Sequence, residues 1–284
     1  MIVVRTLSEL SGRIQEFKKK GRSLGFVPTM GFLHDGHREL MRRARPESDV
    51  LVVSIFVNPT QFNDKEDFKK YPKNESGDLD ICKNEKVDLV FLPESSEIYP
   101  EESTIQPVIR IPELMNKLCG ATRPGHFEGV LLIITKLFLR VLPDRAYFGL
   151  KDYQQYILIK NYLASIGFPV DVIGVPTVRE ESGLAMSSRN SRLSNEELED
   201  ATLISRALNL AQKNIRTKNI SISEAREIIR DILLSSPRIR IDYVEILGAD
   251  HLEEVEDFHS DTLIAIAVFL GSVRLIDNIV MEKK

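Results

Sequence analysis

Several classes of protein are excluded by what this 284-residue chain lacks. Its two cysteines, Cys82 and Cys119, lie in no C-x-x-C or zinc-binding pattern, which predicts isolated buried thiols in a reducing cytoplasm. The first residues, MIVVRTLSEL, contain neither a long apolar segment nor the cleavage signal of a secreted protein. Since no apolar run reaches the ~18 residues that cross a bilayer, no membrane span is expected.

Charge and glycine spacing exclude further classes. Net charge is −4, so the chain lacks the electrostatic footprint of a nucleic-acid-binding protein. The dinucleotide fingerprint G-x-G-x-x-G and the P-loop G-x-x-x-x-G-K-[ST] are both missing, which disfavours a dehydrogenase and a P-loop kinase. Hydrophobic residues make up 43% of the chain and charged residues 28%, as in an ordinary globular protein with a substantial core.

The order of the predicted elements indicates two domains. Up to residue 176, apolar β-branched runs such as residues 50–56 alternate with helical stretches, which predicts a doubly wound, Rossmann-like parallel α/β sheet. Capping boxes at Ser194 and Ser221 then head two helices, and three strands follow. We therefore predict an α/β domain at 1–176 and a smaller α+β domain at 177–284 that acts as a lid.

Periodicity and turn residues predict four further elements in the first domain. They are a helix at residues 78–86, a strand at 107–111, a buried helix at 130–142 and an amphipathic helix at 150–167. Lys151 and Asp152 would lie in the first turn of the last of these helices.

The stretch FVPTMGFLHDGH, residues 26–37, is the strongest candidate for a binding site. An apolar strand runs into a turn, and a helix starts near His34. Helix starts present unpaired N–H groups and partial positive charge, and so bind phosphate readily. His34 and His37 can add donors, and Gly36 lets a ligand approach the backbone. The pattern predicts a nucleotide-triphosphate site, although a strand–turn–helix with two exposed histidines explains it equally well.

Polar side chains also occur in two other loops of the predicted α/β domain. Asn58 and Gln61 follow the strand at 50–56, and amides suit a polyol or carboxylate substrate, although each alone fits ordinary turn chemistry. Arg123 and His126 lie in a long loop rich in glycine and proline. Such loops are more often functional than idle, so both residues either contact substrate or are solvated.

The segment GLKDYQQ, residues 149–155, offers a second set of candidate ligands to a nucleotide. Gly149 allows close backbone approach, Lys151 can meet a phosphate, and Asp152 can accept from ribose hydroxyls. Gln155 lies one turn further on and can reach a substrate. The alternative is the ordinary first turn of a surface helix.

The segment that joins the predicted domains contains Ser187, Ser188 and Arg189. Two hydroxyls, backbone donors and a guanidinium suit pyrophosphate oxygens, and such a loop can close over a nucleotide. Alone, the segment is better explained as a polar linker. Asp78 and Asp80 are weak candidates for holding magnesium, because a solvated helix face explains them better.

Together these segments resemble a known family. The H-x-G-H motif and a distal M-S-S-R loop are similar to the adenylate-forming nucleotidylyltransferase superfamily, which includes class I aminoacyl-tRNA synthetases. PTMGFLHDGH, FVNPTQF, TRPGHFEGV, KDYQQ and AMSSRNSRLS resemble the pantothenate synthetases (pantoate–β-alanine ligases), in colinear order over residues 24–195. One departure is Leu150, where that family commonly has Glu; its side chain is expected to point away from the ligand.

The resemblance implies a two-step ligation. The carboxylate of (R)-pantoate attacks the α-phosphorus of ATP and releases pyrophosphate, which leaves pantoyl adenylate. The amine of β-alanine then attacks the activated carbonyl, releases AMP and forms pantothenate. Mg²⁺ would accompany ATP, and the protein would be a cytoplasmic homodimer formed through the first domain, with no nucleic-acid or membrane partner.

The resemblance also implies residue roles. His37 would be the catalytic histidine, a proton donor, with His34 and Lys151 beside it on the phosphates. Residues implied to hold ATP are Met30, Gly31, Phe32, Leu33, His34, Asp35, Gly36, His37, Gly149, Leu150, Lys151, Asp152, Val178, Met186, Ser187, Ser188 and Arg189. Residues expected at pantoate and β-alanine are Gln61, Gln155, Asn58 and Arg123.

Two other functions fit part of the pattern. A different H-x-G-H nucleotidylyltransferase, such as one that makes a dinucleotide or a CDP-alcohol, would explain His34, His37 and Arg189. It would leave the amides of Gln61 and Gln155 without a role. A nucleotide-binding regulator or RNA-associated module that has lost catalysis is disfavoured, because the acidic balance argues against RNA and the intact His37 and Lys151 argue against lost catalysis.

Overall fold

A computed structural model describes residues 1–63, 65–100 and 105–283. Within these residues the larger sheet has six strands: β1 (Ile2–Val4), β2 (Leu24–Thr29), β3 (Val50–Ile55), β4 (Leu89–Phe91), β5 (Arg145–Gly149) and β6 (Asp171–Val175). Their order is β1-β4-β3-β2-β5-β6, and neighbouring strands pair in parallel. The predicted doubly wound α/β fold is confirmed.

The helices of the described residues lie between and after these strands. They are α1 (Leu7–Lys19), α2 (Asp35–Ala44), α3 (Lys65–Lys69), α4 (Glu75–Asn84), α5 (Ser95–Ile98), α6 (Pro112–Met115), α7 (Leu118–Thr122), α8 (His126–Val141), α9 (Tyr153–Ser165), α10 (Asn195–Lys218) and α11 (Ile222–Leu234). None of them is both long and apolar enough to span a membrane.

Alternate strand residues face two hydrophobic cores, because side chains along a strand point to opposite faces. On β2, Phe26 joins the core under α1, α8 and α9, while Val27 joins the core under α2 and α4. On β3, Val52 and Val53 divide in the same way. The sheet is therefore covered on both faces, which explains the continuous apolar character of its strands.

Two predicted helix starts and one predicted strand in the first part of the chain are wrong. The helix predicted at 78–86 begins at Glu75, because Asn74 caps it by accepting from the Gly77 N–H at 3.2 Å. Residues 107–111 form no strand; they run without regular structure into α6. The helix predicted from residue 130 begins at His126, one residue after Gly125, which has a left-handed φ of 80°.

The structure also corrects the start of the helix predicted at 150–167. Leu150–Asp152 forms a separate 3₁₀ turn, and α9 begins only at Tyr153. Lys151 and Asp152 therefore belong to a connection between β5 and α9 rather than to the first turn of a helix.

A second, antiparallel sheet holds the rest of the described chain. Its strands are β7 (Ile239–Gly248), β8 (Thr262–Leu270) and β9 (Val273–Met281), and the capping boxes at Ser194 and Ser221 start α10 and α11 as predicted. On β8, Ile264 and Ile266 pack with these helices, whereas Leu263 and Ala265 join the core of the larger sheet. The α+β content is confirmed, and the domain boundary at 176/177 stays a prediction.

Candidate active site

The predicted binding loops meet at one edge of the larger sheet. β2 lies between β3 and β5, and β5 and β6 extend the sheet away from β3 and β4. The strand order therefore reverses beside β2, and doubly wound sheets bind ligands at such a reversal, beyond the carboxyl ends of the strands. A cavity of about 240 Å³ lies there, which we call the inner chamber.

Most of the residues predicted to bind ligands line the inner chamber. They are Met30, His34, Gly36, His37, Asn58, Gln61, Arg123, Gly149, Lys151, Asp152, Gln155, Val178, Met186, Ser187, Ser188 and Arg189. Gly31, Phe32, Leu33, Asp35 and Leu150 do not line it, and their contact with ATP stays a prediction. An outer chamber of about 310 Å³ shares Arg123, Lys151, Asp152, Ser187 and Arg189 with the inner one.

A buried carboxylate shapes the turn before α2. Asp78, 3% exposed, accepts from the Phe32 N–H at 2.9 Å and from the Leu33 N–H at 2.7 Å. A methyl group at Gly31, where φ is 82°, would lie 2.9 Å from Asp78 Oδ2. The expected solvated face is wrong for Asp78, and both of its oxygens serve the turn rather than a metal. Asp80 is exposed, as expected.

The H-x-G-H motif forms a capping box made of imidazoles. His34 is the N-cap of α2, and its Nδ1 accepts from the Gly36 N–H at 3.1 Å. His37 Nδ1 accepts from the His34 N–H at 3.3 Å. A methyl group at Gly36 would lie 2.9 Å from the His34 ring, so glycine is what lets that ring approach the helix start.

These contacts fix the charge and tautomer of both rings. Burial and then the charge of Lys151 lower the pKa of His34 to about 4; burial and then His34 lower that of His37 to about 3. Both rings are neutral at pH 7, and since each Nδ1 accepts, each carries its proton on Nε2. The site therefore presents two neutral N–H donors rather than imidazolium acids.

The two amides after β3 have different surroundings. Asn58, 1% exposed, donates to Gln61 Oε1 and to the Gly129 carbonyl at 3.1 Å each, and its oxygen accepts from Tyr99 Oη at 2.7 Å. The Asn58 amide is thus committed to protein partners, which suits a residue that holds the loop. Gln61, whose Nε2 lies 2.9 Å from Met30 Sδ, is the amide better placed to exchange partners for a ligand.

Arg123 is held by a buried histidine. His126 Nε2 lies 3.2 Å from Arg123 Nη1, and His126 Nδ1 lies 2.7 Å from the Gln61 carbonyl. Since arginine only donates, His126 accepts at Nε2 and donates from Nδ1. Burial and then the charge of Arg123 lower the pKa of His126 to about 3. His126 is therefore a buried residue that connects Arg123 to the loop of Gln61 through two hydrogen bonds, and it is not solvated.

The turn that carries Lys151 is anchored from the second sheet. Asn278, on β9, donates to the carbonyls of Leu150 at 3.0 Å and Lys151 at 2.8 Å. The Leu150 side chain packs where a Cβ on Gly174 would lie and, as expected, does not face the chamber. Lys151 lies 3.7 Å from Asp152, the ion pair that accompanies it in the chamber.

Adjacent glutamines on α9 divide between structure and site. Gln154, 5% exposed, accepts from the Cys119 N–H and donates to two carbonyls of the preceding segment. Gln155 lines the inner chamber, and within the described part of the chain its amide makes no hydrogen bond. Gln155 is therefore available to a ligand.

Residues 186–192, which we call the cover loop, close one side of the chamber. Ser187 Oγ caps a 3₁₀ turn by accepting from the Arg189 N–H at 3.2 Å. Ser188 Oγ donates to Tyr71 Oη at 3.3 Å. The loop is thus ordered against the segment that follows β3.

Comparisons with known proteins decide the family. The family model for pantoate–β-alanine ligase matches residues 2–280. The chain belongs to the pantoate–β-alanine ligase family. It is 51% identical over 282 residues to the pantothenate synthetase of Leptospira interrogans, across 99% of each chain.

Two solved structures of this family share the fold. Pantothenate synthetase from Thermus thermophilus has a TM-score of 0.92 and 41% identity, covering 98% of this chain and 99% of that one. Pantoate–β-alanine ligase from Francisella tularensis, complexed with β-γ ATP and β-alanine, has a TM-score of 0.81 and 34% identity, covering 98% and 97%. The predicted resemblance is thus confirmed at the level of the family.

Sequence reasoning missed several residues that shape this pantoate–β-alanine ligase site. Asp67, Tyr71 and Asn278 carry no local motif and act through partners far along the chain. His126 was named with Arg123 as either a substrate contact or a solvated residue, but its buried supporting role was not predicted.

Replacing Asp78 tests its support of the turn before α2. Asp78→Asn offers one oxygen and an NH₂ group, so one of the two buried N–H groups loses its acceptor. We expect the free energy of unfolding to fall by about 1–3 kcal/mol in urea denaturation. Asp80→Asn, on the exposed side of α4, should change it by less than about 0.5 kcal/mol. Equal stability of the two variants would contradict the assigned role.

The three histidines that line the inner chamber predict acid sensitivity. Their folded-state pKa values lie below the ordinary 6.5, so the unfolded chain binds more protons and stability is lost as pH falls from about 6.5 toward 4. Each histidine contributes a slope of about 1.4 kcal/mol per pH unit inside this window. His126→Asn should reduce the slope by about that amount, whereas His259→Gln, at a site whose side chain is 84% exposed, should not. Unchanged slopes in both variants would refute the assignment.

Proposed function

We propose that this protein joins (R)-pantoate to β-alanine at the inner chamber, with ATP as co-substrate and AMP and pyrophosphate as products. The observation that carries the proposal is that a helix start with two neutral imidazole donors and the free amide of Gln155 line the same chamber. It is supported by the family match and by the Francisella tularensis relative, which was crystallised with β-γ ATP and β-alanine.

In the first step the pantoate carboxylate attacks the α-phosphorus of ATP. A bond forms between the carboxylate oxygen and phosphorus, and the bond from that phosphorus to the bridging oxygen of pyrophosphate breaks. Negative charge grows on the departing pyrophosphate, where the Nε2–H groups of His34 and His37 and the cations Lys151 and Arg189 stabilise it. We assign Asp152 to the ribose hydroxyls and the Val178 backbone to adenine.

In the second step the amine of β-alanine attacks the carbonyl of pantoyl adenylate. The C–N bond forms, the bond from that carbon to the AMP oxygen breaks, and the amine loses a proton. Gln61 and Gln155 hold the pantoyl part through hydrogen bonds. Arg123 makes no ion pair within the described residues and is therefore assigned to the carboxylate of β-alanine.

We propose that Mg²⁺ reaches the site on ATP, held by phosphate oxygens and water, as this cation prefers. Among the residues described here, no group of three or more His, Cys, Asp or Glu side chains is arranged to hold a metal. Asp152, the carboxylate in the described lining of the chamber, is already assigned to the ribose hydroxyls, so phosphate and water are the ligands proposed for the ion. Bound there, Mg²⁺ would neutralise the leaving pyrophosphate.

Assembly and location remain proposals. We propose a cytoplasmic homodimer through residues 1–176, on the strength of the family resemblance, with residues 177–284 as a cover for the site. We propose that the cover loop moves and that the rest of residues 177–284 does not, because β8 and β9 pack against residues 1–176.

Coupled turnover tests the ligase function. With ATP and Mg²⁺ present, we expect the protein to release AMP only when both pantoate and β-alanine are added, and to exchange labelled pyrophosphate into ATP with pantoate alone. AMP formation without pantoate or β-alanine, or transfer of a nucleotide to a different acceptor, would favour another nucleotidylyltransferase.

Paired variants of His37 test its donor. His37→Asn keeps an acceptor near Nδ1 for the His34 N–H but removes the donor at Nε2, so pantoate-dependent pyrophosphate exchange should slow by ~10²–10³. His37→Gln places an amide near Nε2 and should retain more activity. His37→Asn should unfold at the wild-type urea concentration, whereas His37→Gln loses the acceptor for the His34 N–H and should unfold at a lower one. A parallel loss of rate and stability would show a purely structural histidine.

A further inference from the structure

One carboxylate holds two arginines of the cover loop at once. Asp67, on α3, accepts from Arg189 Nη2 through Oδ2 and from Arg192 Nη1 through Oδ1, each at 2.8 Å. All three side chains are largely buried, with 21–23% of each exposed. Burial acts to raise the pKa of Asp67, but the two guanidinium groups outweigh it and hold that pKa below its ordinary value. The carboxylate is therefore ionised at neutral pH.

The segment that carries Asp67 is itself anchored. Phe62 makes edge contacts with Phe68, at 5.4 Å between ring centroids, and with Tyr71, at 5.8 Å. Tyr71 in turn accepts from Ser188 of the cover loop. The loop is thus joined to a packed aromatic group at two points, the Asp67 ion pairs and the Tyr71 hydroxyl.

The two arginines differ in what they can reach. Arg189 lines both chambers, whereas Arg192 and Asp67 line only the outer chamber. A phosphate in the inner chamber can therefore compete for Arg189, while Arg192 keeps its bond to Asp67. The Arg189–Asp67 pair can therefore exchange partners, whereas the Arg192–Asp67 pair stays intact.

We propose that Asp67 is a positioning residue for ATP: through Arg192 it keeps the cover loop over the inner chamber and so presents Arg189 to the phosphates. The inference rests on the proposed function, since it assigns a role within the same site. A loop ordered before ATP arrives loses less conformational freedom on binding, so the effect falls on ATP affinity rather than on the chemical step.

Four variants test this role by steady-state kinetics. Asp67→Asn and Arg192→Ala should each raise the KM for ATP about tenfold, the factor that corresponds to ~1.4 kcal/mol. The kcat and the KM for β-alanine should change little. The double variant should be no worse than either single one, because both remove the same pair. Asp67→Glu should recover most of the ATP affinity.

A control and direct binding separate this inference from the proposed function. Asp200→Asn removes a carboxylate that pairs with Arg238, in the second unit, and should leave the KM for ATP unchanged. In calorimetric titration, Asp67→Asn and Arg192→Ala should bind a non-hydrolysable ATP analogue about tenfold more weakly than the wild type. This measurement needs no acceptor substrate, so it does not depend on the proposed reaction. A wild-type protein that binds the analogue but fails to make pantothenate would refute the proposed function alone.

Three results would overturn the role of Asp67. A lower KM for ATP in Asp67→Asn would show a competitor for Arg189 rather than an anchor. If the KM values of all substrates rise together and the melting temperature falls, Asp67 has a general structural role. If the rise in the KM for ATP in the double variant equals the product of the two single rises, Asp67 and Arg192 act independently.

Discussion

The imidazole capping box at the start of α2 is the constraint on which the site depends. A helix start leaves backbone N–H groups without partners, and here the Nδ1 atoms of His34 and His37 accept from two such groups. Because each Nδ1 is used as an acceptor, each neutral ring carries its proton on Nε2. One set of hydrogen bonds therefore fixes the backbone, the ring positions and the tautomers together. Gly36 belongs to this set, since a side chain there would collide with the His34 ring.

Charge around the chamber follows from the same arrangement. Lys151 disfavours protonation of both histidines, and burial lowers their pKa further, so the cations of the site are lysine and arginine side chains. Arg123 and Arg189 are like charges that lie near one another before any anion is present. Burial and then the charge of Arg189 lower the pKa of Arg123. An anionic ligand relieves that repulsion, while the neutral imidazoles add donors without adding to it. Fixed donors of this kind need little reorganisation when charge develops on a phosphate.

Local sequence patterns predicted the parts of the site that are neighbours in the chain, including the strand, turn and helix start at 26–37 and the fold around it. They could not supply pairings between distant segments. Asp78 accepts from an N–H 46 residues away, and Asp67 pairs with an arginine 122 residues away. An aspartate on a short polar helix has the same local pattern whether it faces solvent or a buried turn, so the sequence favours the solvated face. Family membership could be predicted because several long motifs occur in this chain in the same order as in the family. A single contact between two distant residues leaves no such motif in the sequence.

The packing of the second sheet limits which part of the chain can open the site. Leu263 and Ala265 lie in the core of the larger sheet, and Asn278 holds the turn that carries Lys151. Moving residues 177–284 as a rigid body would expose apolar surface, at about 25 cal/mol per Å², and would also release that turn. The cover loop is joined to the segment after β3 by the Asp67 ion pairs and one hydroxyl contact, and the pair with Arg189 can exchange for phosphate with little exposure of the core. Movement confined to residues 186–192 would leave Lys151 in place, so the groups proposed to bind phosphate at the sheet edge would stay organised while the chamber admits a ligand.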